Sequence, residues 1–114
     1  MFNPKPEIYQ TLNALGYYCR QGAQATFADS QVPAITFRIE DNNVEQIDHD
    51  LEIARQSITV TVDIFADDSV ATSRILNEVE EAMRGIHYRM SHSSDIPAPA
   101  EALCHTNARF VITR

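Results

Sequence analysis

A chain of 114 residues has room for one hydrophobic core and leaves none for a second. With 44% hydrophobic and 22% charged residues it reads as an ordinary globule, and no run of 18 apolar residues offers a membrane-crossing helix. Sixteen acids against nine bases, a net charge of −7, argue against a surface built to hold nucleic acid or anionic lipid.

The first residues, MFNPKPEIYQ, lack the basic-then-apolar order of a signal peptide, so a reducing cytoplasm is the expected compartment. Ile8, Leu12 and Leu15 are spaced four and three apart, one face of a helix over about 5–15, with Pro4 and Pro6 at its start and Gly16 at its exit. YYCR (17–20) follows as a short strand, and the small, polar residues 21–32 read as a loop. In PAITFRIE, Ile35, Phe37 and Ile39 fall on one face and Ala34, Thr36 and Arg38 on the other, behind a proline where a missing amide costs least.

Residues 53–66 give the longest strand. Ile58, Val60, Val62 and Ile64 are assigned to the core and Thr59, Thr61 and Asp63 to the outside; Ile53 is out of phase, which predicts a bulge near 54–56. Asp67, Asp68 or Ser69 caps the next helix, whose buried stripe is read as Ile75, Val79, Ala82 and Ile86 beside Ala71 and Leu76, with Gly85 at its end. IHYRMS (86–91) alternates again, SSDIPAPAE (93–101) is a proline-broken loop, and Ala108, Phe110 and Ile112 mark a last strand from about 103 to 113. The fold class is therefore α+β, in the order α-β-β-β-α-β-β: a single, mostly antiparallel sheet of four to five strands with two helices on one face.

Reactive groups are few and scattered. Cys19 and Cys104 match no zinc spacing and read as two small thiols on strands, able to pair only if those strands are neighbours. SHSSD (91–95) holds serine, histidine and aspartate, but neighbours on a strand point to opposite faces and triads assemble from separate elements. His49, His87, His92 and His105 show no metal-binding helix spacing, and Gly16, Gly22 and Gly85 make no phosphate loop. No catalytic residue, metal site or cofactor is assigned.

One segment stands out. EDNNVEQIDHDLE carries Glu40, Asp41, Glu45, Asp48, Asp50 and Glu52 with no lysine or arginine, between the two best strands. It reads as a long acidic loop or an extended hairpin. Its acids serve either as a solvated connection or as a lining that repels a polyanion; with no glycine for the sharp turn, it is not an EF-hand calcium loop.

With that order in place, the chain resembles the small tail-terminator (tail-completion, head–tail joining) proteins of tailed bacteriophages. The resemblance runs through IYQTLNALGYYCR, PAITFRIEDNN, ITVTVDIFA, VEEAM (79–83), HYRMS and ARFVITR, and so spans nearly the whole chain with soft, structural motifs. One departure is that Gly85 precedes Ile86-His87-Tyr88, where the family often sets glycine directly before an aromatic. The resemblance implies a structural virion protein of the tail and neck, assembled in the host cytoplasm. Its subunits form a ring, often a hexamer, on the last layer of the tail tube. Its partners are itself, the tail-tube protein and a head-side connector or adaptor; DNA passes through the channel without specific binding, and no membrane is involved. Nothing in the pattern carries over as a catalytic residue. On that reading the 40–52 segment faces the channel or the neighbouring tube ring. The alternatives are a head–tail adaptor or minor tail protein, a small cytosolic ligand-binding α+β module, and an enzyme, for which no active-site spacing is present.

Overall fold

The computed structural model describes residues 3–22, 27–48, 53–97 and 103–113. Helix α1 (Lys5–Asn13) leads to strand β1 (Tyr18–Gln21), a 3-10 turn (Asp29–Gln31), and strands β2 (Ala34–Asp48) and β3 (Ile53–Ala66). Helix α2 (Ser69–Gly85) and strands β4 (Arg89–Ile96) and β5 (Cys104–Thr113) complete the chain. The strands form one sheet in the order β1-β2-β3-β5-β4, so the α+β class and the element order are as expected.

One pair is the exception within a mostly antiparallel sheet. β1 runs parallel to β2, with Tyr18 beside Ala34 and Gln21 beside Phe37, while every other pair is antiparallel. The connection over 22–33 is long enough to carry the chain back to the sheet's starting end, which a tight turn cannot do. The order also separates Cys19 from Cys104. Two strands lie between theirs, about 14 Å at ordinary strand spacing, beyond disulfide reach, and both thiols are free.

Period-two alternation builds the core. Ile58, Val60, Val62 and Ile64 are all fully buried, as are Ala108 and Phe110 facing them from β5, and Phe37 is almost so. Over them lie Ile8 and Leu12 of α1 and Thr72, Ile75, Val79 and Met83 of α2. The α2 stripe differs from its expected form: Met83 is buried and Ala82 only half-buried, because spacings of three and four from Thr72 lead to 75, 79 and 83. Tyr17 ties the start of β1 to α2 through a 2.5 Å hydrogen bond from its hydroxyl to Glu78, which holds the phenol above its usual range, chiefly by favouring the proton it donates.

The helix ends have local causes. Asp68 is the cap of α2, its carboxylate accepting from the Ala71 amide at 2.7 Å. At the other end the Tyr88 amide donates to the Met83 carbonyl and the His87 amide to the Arg84 carbonyl, both at 2.9 Å, which is a Schellman stop with His87 in the left-handed region at φ 73°. Residues 86–88 are consumed by this stop, so β4 begins at Arg89 and not at Ile86. It then runs through SHSSD to Ile96; of the loop expected over 93–101, residues 93–96 are strand and 98–101 lie outside the described residues.

The expected bulge near 54–56 falls on the partner strand. Register shifts occur between Ile39 and Asp41 and between Gln46 and Asp48, leaving Glu40 and Ile47 as the extra residues of β2. The acidic segment is the hairpin alternative as far as Asp48. β5 pairs with β3 only from Ser57 onward, so as strands Val44–Asp48 and Ile53–Gln56 are laddered only with each other. They form a two-stranded arm beyond a five-stranded body, and the molecule measures 58 × 24 × 22 Å.

Candidate functional site

The same alternation that buries one face of the sheet leaves the other without a helix among the described residues. Register sets its side chains in rows across the strands: Tyr18, Ala34, Phe65, His105 and Ile96; then Arg20, Thr36, Asp63, Asn107 and Ser94; then Arg38, Thr61, Arg109 and His92. Each row has its own chemistry.

The first row is aromatic. Phe65 stacks on the His105 ring at 4.3 Å, Phe27 leans on Phe65 at 4.9 Å, and Tyr18 meets Phe27 edge-on at 6.1 Å. The second centres on Asp63. One carboxylate oxygen receives the Asn107 amide at 2.8 Å and lies 2.7 Å from His105 Nε2. Asp63 is thus held from two sides, its side chain 15% exposed.

The third row is ionic. Glu40, the extra residue of the first β2 bulge, lies 3.3 Å from Arg109 and 3.9 Å from Arg38. Both guanidiniums are about half exposed, so these pairs contribute roughly 0–1 kcal/mol each. Between the two arginines sits Thr61, only 2% exposed, its hydroxyl without a hydrogen-bond partner among the described residues. A buried hydroxyl left unpaired costs on the order of 1–3 kcal/mol, so it is a feature of this row to be explained.

Of the acidic residues singled out in the sequence, only Glu40 joins this cluster. Asp41, Glu45 and Asp48 are on β2, opposite Thr59, Arg55 and Ile53, the last two pairs within the arm. Asp50 and Glu52 lie outside the described residues. The structure adds Arg38, Arg109, Asp63 and His105; the signal for them was their outward position on strands.

The other constellations do not converge. Asp95 of SHSSD accepts from Thr106 at 2.8 Å on the helix-covered face, Ser91 donates to the Arg109 carbonyl at 3.3 Å, and His92 shares the bare face with Arg109. Among the described residues no three of histidine, cysteine, aspartate and glutamate gather as they would around a metal ion. An open hollow of about 530 Å³ at the ends of β4 and β5 is lined by His87, Arg89, Val111, Ile112 and Thr113, with no carboxylate among them. Among the described residues no helix is long and apolar enough to cross a membrane.

Compared with known proteins, the chain matches no protein-family model. It matches no curated protein either.

Proposed function

We propose that the chain is a structural virion subunit that caps the end of a phage tail tube and takes part in head–tail joining as one copy of a ring. The observation that supports this most is the two-stranded β2–β3 arm standing off a five-stranded body. An isolated two-stranded hairpin is marginal in water. An arm of this kind gains stability when a second surface covers it. A ring is built by heterologous contacts, in which each copy offers one surface and receives another, and the arm and the bare sheet face are two such unlike surfaces. The resemblance in the sequence points the same way.

The partners on this reading are further copies of the chain, the tail-tube protein below and a head-side connector or adaptor above. DNA is a passenger. A chain of net charge −7 repels it, by the counterion logic that makes basic grooves bind. Exposed ion pairs such as Arg38–Glu40 and Arg109–Glu40 add little to stability, which fits a surface kept for contact.

The test is to mix the purified protein with polymerised tail tubes and image them by electron microscopy. Density confined to one tube end, with growth halted there, is the expected result. Binding along the tube wall, or none, rejects the proposal. Particles assembled without the protein separate the two roles in the neck: overlong tails mark a terminator, finished but unjoined tails an adaptor.

A further inference from the structure

We propose that the hollow at the ends of β4 and β5 takes an extended, acidic segment of a partner protein, which lengthens the sheet beside Ile112 and Thr113 while one of its carboxylates pairs with Arg89. This goes beyond the ring reading and does not depend on it, since it uses only one corner of the sheet.

The hollow has a cause in the chain. β4 joins β5 at Arg89, opposite Val111, because residues 86–88 are spent on the left-handed stop of α2. β5 runs on to Thr113, with Ile112 and Thr113 still paired to β3 on its other side. In an antiparallel ladder a residue turns both its N–H and its C=O toward one neighbour, and the next residue turns the opposite way. One of Ile112 and Thr113 therefore directs a donor and an acceptor toward the side that β4 does not reach. That is an open sheet edge of the kind an added strand completes. The space there is about 530 Å³, walled by Val111 and Ile112 and bordered by His87, Arg89 and Thr113.

Charge says which kind of strand fits. Among the described residues, Arg38, Arg84 and Arg109 each reach a carboxylate, Glu40 or Glu80, whereas the exposed Arg89 guanidinium has none. The hollow holds no acid, and His87 stands beside Arg89 in its lining. A second hollow of about 360 Å³ also borders Arg89, and its one acid, Glu80, is taken by Arg84. An arginine fork receives a carboxylate through two parallel N–H bonds.

Both observations have to be met by one occupant. A phosphate ion would pair with Arg89 and leave the edge open; a neutral strand would close the edge and leave Arg89 unmatched. An acidic strand satisfies the two together, with Val111 and Ile112 offering apolar contact to its alternate side chains.

The test uses a short synthetic peptide in which valine and glutamate alternate, titrated into the isotope-labelled chain and followed by amide NMR and hydrogen exchange. Binding should shift the amides of Arg89, Val111, Ile112 and Thr113 and slow exchange at whichever of 112 and 113 faces the hollow. Arg89→Gln should weaken binding about five- to tenfold, and Arg89→Glu further, with melting unchanged; rising salt should also weaken it. A peptide N-methylated along one edge keeps its carboxylates but cannot donate to the ladder, and it should lose binding by a similar factor. No shift up to about 1 mM peptide overturns the proposal, as does equal binding by Arg89→Gln or by the N-methylated peptide. Inorganic phosphate that moves the same amides as strongly as the peptide leaves an anion site only and overturns the strand. Self-association that appears in Arg89→Gln while peptide binding is unchanged makes Arg89 a guard of the edge, which overturns it too. Wild-type association through these same amides gives the edge to a second copy and overturns the choice of occupant.

Discussion

Strand β3 shows the two sides of this protein on one backbone. Its even residues, Ile58, Val60, Val62 and Ile64, are fully buried under two helices of the same chain. Its odd residues, Thr59, Thr61, Asp63 and Phe65, face the side that no helix covers. That second side is not simply wet: Thr61 and Phe65 are nearly as buried as the core, and Asp63 is gripped by two neighbours. The difference teaches that burial does two jobs here. Under the helices it holds the fold together; on the bare face it fixes polar and aromatic groups in place at small cost to the rest.

The largest effect should come from the covered face. Ile64→Ala removes a fully buried side chain from the middle of the sheet and should cost about 2–5 kcal/mol in urea unfolding. Asp63→Ala, one residue away on the other face, should cost nearer 1 kcal/mol, since His105 and Asn107 lose an acceptor but keep access to water. Equal losses at 63 and 64 would erase the distinction between the faces.

Between these in size lies a pH effect confined to the covered face. Burial pushes the Cys19 thiol up to about 11 from its ordinary value near 9. A group whose pKa is higher folded than unfolded contributes stability that is intact below the unfolded value and lost as pH rises through the folded one. Stability should therefore decline between about pH 9 and 11, by roughly 2 kcal/mol from this thiol. Tyr17, raised chiefly by its hydrogen bond to Glu78, adds a change of the same sign. The Cys19 share is the part that disappears in Cys19→Ala, read as the difference between the two pH profiles of unfolding.

How much of this is legible in the residues follows from the reach of each interaction. The covered face is written in the alternation of ITVTVDI, and the outward positions of Arg38, Thr61 and Asp63 are written there too. What alternation does not carry is which outward residues meet. Glu40 reaches Arg109 only because β3 lies between their strands, and that depends on the order β1-β2-β3-β5-β4. The parallel β1–β2 pair was hidden for a similar reason: the length of a connection permits either direction. The arm was hidden by composition. EDNNVEQID is poor in strand formers, yet apart from the two bulges at Glu40 and Ile47 it pairs with β3, and that tertiary pairing overrides propensity. The stop of α2 misled differently, since Gly85 looks like the left-handed residue and His87 is.

That last case gives the smallest and most local test, and it sets one helix end against the other. α1 is followed by Gly16 at φ 92°, a residue with no side chain to resist that conformation, whereas α2 is followed by His87 at φ 73°. An L-residue held there is less favourable than glycine by about 1 kcal/mol, and His87 is exposed, so removing its ring sacrifices little packing. Glycine also gives the unfolded chain more freedom, which takes back part of the gain. His87→Gly should therefore stabilise by about 0.5 kcal/mol, a rise of roughly 2–4 °C in Tm for a domain of this size. Gly16→Ala should move Tm the other way by a similar or greater amount, although nothing lies within 4 Å of the added methyl, because φ and not space is the obstacle. If His87→Gly lowers Tm instead, the ring makes a contact worth more than the strain, and the hollow it lines beside Arg89 is where that contact lies.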